Sequence, residues 1–101
     1  MRQITIDSED IWVTRRAIGN HIDFEVFDPD LASDPFQGTV TVRARTGEGA
    51  YRVLARYQPS DITENGGDTM IRHIYPSLSN VELQVGVATG DYTSGSIVVT
   101  I

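Results

Sequence analysis

The chain has 101 residues, which fits one domain; it contains no cysteine and carries a formal net charge of −6 at pH 7. The lack of cysteine excludes disulfide bonds, thiol nucleophiles and cysteine-ligated metals. The negative charge argues against nucleic acid as a partner, because phosphate binding needs a basic surface. No stretch approaches the roughly 18 apolar residues of a membrane span, and the first residues lack the apolar run of a signal peptide. We therefore expect a protein made in a cytoplasm, with no membrane partner.

Apolar residues recur at every second position along most of the chain, as in Ile22, Phe24 and Val26. This alternation is typical of strands with one buried face. Only the turn at 59–62 has helical character. We therefore predict a single all-β domain over 1–101, a small antiparallel β-sandwich or partly open barrel of about eight strands. The predicted strands lie near 2–6, 10–18, 21–27, 38–46, 49–57, 68–75, 81–88 and 95–101.

A first hairpin is predicted between the second and third strands. Gly19 and Asn20 stand there with glycine first, as a type II′ turn prefers. The resulting register sets Arg15 on the apolar face opposite Phe24. Its guanidinium must then extend to water, stack on the ring or meet a carboxylate.

A second hairpin is predicted at Gly47-Glu48, with Thr46 paired to Gly49 because this register buries the apolar residues. It places four arginines on one outer face, with the first and third opposed across the strands: Arg43, Arg45, Arg52 and Arg56. Opposed like charges cost roughly 0.2–1 kcal/mol, so acidic groups should lie beside them. One hypothesis is that this face docks on an acidic surface of a partner or of another copy of the chain. The alternative is a solvated face with Asp and Glu partners of its own.

The loop from Phe27 to Phe36 carries the carboxylates of Asp28, Asp30 and Asp34. Oxygen ligands suit Ca²⁺, but the spacing does not match an EF-hand. Three interpretations stay open. The segment is an acidic loop stiffened by its prolines and anchored by its two phenylalanines, an arm that inserts into a neighbouring subunit, or a metal-binding loop.

The sequence indicates no catalytic residues. His21 and His73 are the only histidines, and a zinc site would need further ligands at distances that the sequence does not reveal. We expect them to be ordinary polar strand residues, and we expect no metal or cofactor. No nucleophile elbow or phosphate-binding glycine pattern occurs, and a chain this short leaves little room for a glycosidase cleft.

Tyr92 lies in the predicted loop 89–95 among glycine, serine and threonine, and we expect it to be the most exposed tyrosine. An exposed tyrosine on such a loop suits contact with a protein or a sugar. Trp12 is expected in the core or in the first hairpin.

The compact alternating strands, the start at Met1 and the last segment, Gly95 to Ile101, resemble those of small accessory proteins of tailed-phage virions. The resemblance is compositional, covers the whole chain, and is strongest to capsid decoration proteins and small head or tail adaptors. It implies a sandwich or β-tulip-like fold, homo-oligomers that are often trimers, and binding across neighbouring capsid subunits in the virion. The expected function is structural and non-enzymatic. A carbohydrate- or receptor-binding β module and a tail or head-tail adaptor component are the alternatives.

Overall fold

The computed structural model describes residues 2–17, 19, 21–76 and 80–101, and these residues form an all-β domain, as predicted. Every predicted strand is present within a few residues of its expected limits, and the short helix lies at the predicted turn. The elements are β1 Gln3–Ile6, β2 Ile11–Ala17, β3 Ile22–Phe27, β4 Gln37–Gly38, β5 Val40–Arg45, β6 Arg52–Tyr57, α1 Pro59–Ile62, β7 Thr69–Ile74, β8 Val81–Val87, β9 Tyr92–Ser94 and β10 Ile97–Thr100. No helix in this part of the chain has the length and apolar character needed to cross a membrane.

The strands form two antiparallel four-stranded sheets and one small pair. Sheet I has the order β1-β10-β3-β7, sheet II has the order β2-β8-β5-β6, and β4 pairs with β9. Both large sheets have open edges, so the architecture is the predicted sandwich and not a closed barrel. The β4–β9 pair was not predicted, because strands of two and three residues are too short to show a period.

The core lies between the two sheets and is built by the alternation seen in the sequence. Ile22, Phe24 and Val26 of β3 face it from sheet I, and Val40 and Val42 of β5 face it from sheet II, all at most 5% exposed. Asp23 and Glu25 therefore lie on the outer face of sheet I.

The predicted first hairpin is wrong. β2 pairs with β8, whereas β3 pairs with β10 and β7, so the chain crosses from sheet II to sheet I between them. Ile18 and Asn20 lie outside the described residues. The error arose because the same alternation fits several pairing partners, and a tight turn is only one way to connect two strands.

Arg15 consequently has a different neighbour from the one predicted. It pairs with Leu83 on the inward side of β2, but β2 is an edge of sheet II and the side chain is exposed. Arg15 lines an open groove together with Phe24 and the carboxylate-bearing Glu25. The exposed side chain thus lies at the edge of the sandwich, where a cation on the inward side of a strand can reach water.

The second hairpin is present, but the predicted register is wrong. Val42 pairs with Ala55, and beyond a bulge that leaves residue 54 unpaired, Ala44 pairs with Arg52. Directly paired residues share a face, so Arg52 lies on the inward side with Ala44. Arg43, Arg45 and Arg56 lie on the outer side with Thr41, and the four arginines do not share one face. The bulge inserts one residue into β6, so the residues before and after it point to opposite faces from those that regular alternation gives. The apolar pattern of the sequence continues through the bulge and does not reveal it.

Candidate functional site

Arginine and aromatic side chains stack on the outer face of sheet II. The guanidinium carbon of Arg43 lies 3.7 Å from the ring centroid of Trp12 and 4.5 Å from that of Tyr51, and the guanidinium carbon of Arg45 lies 4.5 Å from the Tyr51 centroid. An aromatic face attracts a cation through its quadrupole. We call these four residues the arginine–aromatic ladder.

Neighbouring side chains of β8 satisfy the arginines of the ladder. Arg45 Nε donates to Glu82 Oε2 at 2.8 Å, and Arg43 Nε donates to Gln84 Oε1 at 2.9 Å. Gln84 Nε2 in turn donates to Thr14 Oγ1 at 3.1 Å. The compensating groups expected for this face therefore include groups on the same chain, which favours the alternative of a face with its own partners.

The pKa values of Glu82 and Tyr51, at the end of the ladder, are shifted in opposite directions. The hydrogen bond from Arg45 holds the pKa of the Glu82 carboxyl below its usual range, and the hydrogen bond from Tyr51 acts in the same direction. Burial raises the pKa of the Tyr51 phenol, and its bond to Glu82 raises it further. Both shifts favour an ionised Glu82 and a neutral Tyr51 at neutral pH.

Trp12 is packed against its own sheet. A Cβ atom added at Gly86 would lie 2.8 Å from Trp12 Cε3, so the indole lies directly over this glycine. Since Arg43 also stacks on the ring, little of the indole face is left for a sugar.

Tyr92 is not the most exposed tyrosine, contrary to the prediction. It is half-buried in β9, packs against the core, and donates its hydroxyl hydrogen to the Gly95 carbonyl oxygen at 2.8 Å. Tyr75 is 70% exposed instead. The unpredicted β4–β9 pair accounts for the difference, because it turns an apparent loop into an ordered strand. Tyr92 is therefore poorly placed as a protein or sugar contact.

The loop between β3 and β4 has a buried anchor at each end. Asp28 is 3% exposed and its Oδ2 accepts a hydrogen bond from the Phe36 backbone N–H at 3.0 Å; Phe36 is 1% exposed. Asp28 closes the loop and is not available as a partner contact, which corrects its assignment to the docking residues. Asp30 and Asp34 are exposed, and the Asp34 N–H donates to the Asp30 carbonyl oxygen at 2.7 Å.

The carboxylates of this loop do not form a metal-binding group. Among the described residues, the side chains that converge closely enough to share an ion are His21, Asp23 and His73. The metal-binding interpretation of the loop is therefore not supported, whereas an acidic loop anchored through Phe36 is. Insertion of the loop into a neighbouring subunit stays a prediction.

His21, Asp23 and His73 converge on the outer face of sheet I. Asp23 and His73 are directly paired between β3 and β7, and His21 precedes Asp23 by two positions. Asp23 Oδ1 lies 2.6 Å from His21 Nε2 and 2.5 Å from His73 Nδ1. The hydrogen bond to His73 is the main cause that lowers the pKa of Asp23, and the charges of both histidines add to it. We call these three residues the histidine–aspartate cluster.

The sequence alone could place two of the three residues of this cluster together. The spacing of His21 and Asp23 places both side chains on one face of a strand. His73 lies 50 positions from Asp23 in the sequence, and only the pairing of β3 with β7 brings it there. The sequence did not show how far the histidines lie from a carboxylate. For His73, the register between β3 and β7 sets that distance.

An exposed apolar surface lies along β7. Ile71 is 61% exposed and Tyr75 is 70% exposed, and both lie on the same side of the chain as His73. We call Ile71, His73 and Tyr75 the β7 surface.

Comparisons with protein-family models, with curated proteins and with solved structures each found no match. Inferences about function therefore depend on the geometry of this chain.

Proposed function

We propose that this chain is a non-catalytic structural protein of a virion, a capsid decoration protein that binds across neighbouring subunits of the shell. The observation that carries the proposal is the β7 surface, where Ile71 and Tyr75 are 61% and 70% exposed. Large apolar and aromatic side chains with a charged rim are typical of protein contact sites.

A groove extends the β7 surface toward sheet II. It has a volume of about 440 Å³ and is open to solvent along its length. Ile71, Phe24 and Ile101 supply its apolar lining, and Arg15 and Glu25 supply charges. An open apolar groove with charges at its rim suits a side chain or short segment of a protein partner better than an enclosed small molecule.

The edge of β7 offers a second means of contact. No described strand pairs with the side of β7 away from β3, so this edge is open to an added strand. The Ile71 carbonyl oxygen already accepts a hydrogen bond from Arg72 Nη1 at 3.2 Å, which an added strand would have to replace if it paired there. β6, an edge of sheet II, is interrupted by its bulge, which disfavours strand addition. This difference favours β7 over β6 as the contact edge.

Charge indicates what the partner surface should carry. Asp23 and Glu25 lie beside the β7 surface, and the whole chain has a net charge of −6. An apolar patch with arginine or lysine at its rim would complement them. The arginines of the ladder already have internal partners in Glu82 and Gln84, so they contribute less to docking.

The proposed mechanism is clamping by many copies. A single chain offers a small contact surface and a modest affinity, but a symmetric homo-oligomer, such as a trimer, engages several capsid subunits at once. Linked contacts of this kind strengthen binding by about 10²–10⁴-fold without any new contact. Neither catalysis nor a cofactor takes part.

The test is co-sedimentation of the purified chain with shells assembled from the major capsid protein of the same virus. The wild-type chain should pellet at high copy number and raise the temperature at which the shells come apart. The double variant Ile71→Ser, Tyr75→Ser should remain in the supernatant. Val53→Ser is the matched control, because Val53 is an apolar residue 45% exposed on the other sheet, and it should behave as wild type.

Two results would count against the proposal. If the wild-type chain does not pellet with shells but does pellet with isolated tails, the decoration role is wrong. If the double variant pellets as well as wild type, the β7 surface is not the contact. Light scattering of the free chain tests self-association. If the chain is a strict monomer at high concentration, the proposed homo-oligomer is wrong.

A further inference from the structure

We propose that the histidine–aspartate cluster binds a divalent transition-metal ion of the Zn²⁺ class. The fold places its three side chains on one face of sheet I through two separate constraints. His21 directly precedes β3, and the two-residue alternation of the extended backbone puts its side chain on the same side as that of Asp23. The register between β3 and β7 places Asp23 opposite His73. This inference does not depend on the virion role.

The distances suit a metal site after a small adjustment. Zinc binds histidine nitrogen at about 2.0–2.1 Å and carboxylate oxygen at about 2.0–2.2 Å, so neighbouring ligand atoms in a tetrahedral site lie about 3.3 Å apart. The three ligand atoms here all lie within 4.8 Å of one another. Asp23 Oδ1 lies 2.6 Å and 2.5 Å from the two imidazole nitrogens, so these separations need to open by less than about 1 Å.

Exposure makes this adjustment easy. The side chains of His21, Asp23 and His73 are 43%, 56% and 58% exposed, and they can turn without moving the core. Ring packing still restricts them, since the His21 ring lies 5.6 Å from the His73 ring and 5.1 Å from the Tyr75 ring. These ring contacts limit the orientations that the two imidazoles can take.

The donor set selects the class of ion. Two imidazole nitrogens and one carboxylate oxygen favour zinc, cobalt, nickel or copper, whereas calcium and magnesium prefer sites made wholly of oxygen. Three protein ligands leave a fourth tetrahedral position for water or for a group from another molecule. The site faces solvent beside the β7 surface, so such a group can approach it.

The experiment titrates the untagged, metal-stripped chain with Zn²⁺ by calorimetry and with Co²⁺ by visible absorption. Wild type should bind one Zn²⁺ per chain, and Co²⁺ should develop the absorption bands of a low-coordinate site. Asp23→Asn and His73→Gln should each weaken Zn²⁺ binding by at least about 10- to 100-fold, the loss that follows removal of even an outer-shell partner. Ca²⁺ should not bind at the cluster.

Glu25→Gln is the matched control, because it removes a carboxylate from the same strand and the same face but lies outside the cluster. It should leave Zn²⁺ affinity unchanged, and circular dichroism should show that every variant is folded. Imidazole resonances of both His21 and His73 should shift when Zn²⁺ is added to wild type. The proposal is overturned if wild type binds no Zn²⁺, or if Asp23→Asn and His73→Gln bind it as tightly as wild type.

Discussion

Gly86→Ala tests whether the close approach of β2 to β8 supports the arginine–aromatic ladder. A Cβ atom at position 86 would lie 2.3 Å from the Ile11 carbonyl oxygen and 2.8 Å from Trp12 Cε3. The oxygen belongs to the backbone of the neighbouring strand, so it can move only if β2 moves. Reaching ordinary van der Waals separation needs a displacement of about 1 Å.

The expected cost follows from two opposing terms. Overpacking of this kind destabilises by about 1–3 kcal/mol, and replacing a strand glycine by alanine returns about 0.5–1 kcal/mol through the unfolded state. The difference between the two terms spans about 0–2.5 kcal/mol. Because the closest atom is a backbone oxygen and not the end of a flexible side chain, we expect a net loss in the upper part of this range, about 1–2 kcal/mol in the free energy of unfolding. For a domain of about 100 residues this lowers the melting temperature by roughly 4–16 °C.

The assay is thermal and denaturant unfolding followed by the fluorescence of Trp12, which is the single tryptophan of the chain. The folded-state emission should also change, because the indole must shift away from Gly86 and its stacking with Arg43 then alters. Gly67→Ala is the control, since a Cβ atom at Gly67 would meet nothing within 4 Å. If Gly86→Ala is as stable as wild type, the close approach of β2 to β8 does not restrict the side chain at position 86, and the reasoning is refuted.

Two further predictions concern the same sheet. Thr41 is 2% exposed and its hydroxyl has no hydrogen-bond partner among the described residues. Thr41→Val should therefore raise the free energy of unfolding by about 1 kcal/mol, and a free energy of unfolding below that of wild type, measured in denaturant, would contradict this. The hydrogen bond from Arg45 is the main cause that lowers the folded-state pKa of Glu82. The Glu82 carboxylate therefore stabilises the fold at pH values above its unfolded-state pKa, about 4.3. This stabilisation is lost as the pH falls through the lowered folded-state pKa. Wild type should therefore lose more stability than Glu82→Gln between neutral pH and about pH 3, and parallel losses in the two proteins would refute the coupling.

The two hairpin predictions separate local from non-local information. The strand identities of β2, β3, β5 and β6 were predicted correctly, because alternation is visible within a few residues. The partners of β2 and β3 were predicted wrongly, because a turn at Gly19 is compatible both with a hairpin and with a crossing between sheets. The register of β6 was wrong for a related reason, since a bulge changes the pairing: Leu54, Ala55 and Tyr57 pack against the core, whereas Val53 is exposed.

The features of the candidate sites also separate into those that the sequence predicted and those that depend on contacts between distant residues. Compensation for Arg45 was anticipated as an acidic neighbour, and Glu82 supplies it. The burial of Asp28 was not anticipated, because the bond to the Phe36 backbone depends on how the loop closes. The cluster around Asp23 could not be seen, since His73 comes from a strand distant in sequence.

The sequence by itself determined that this chain consists of short strands around an apolar core, because the two-residue period belongs to the backbone of each strand and requires no knowledge of its neighbours. Only the tertiary structure decided which strands adjoin, since one alternating pattern satisfies many pairings and the packing of the two sheets selects among them. The arginine–aromatic ladder and the histidine–aspartate cluster depend on those pairings, because each joins residues of strands distant in sequence. The residues of the β7 surface alternate along one strand, and the pairings decide only that this strand lies at the edge of sheet I.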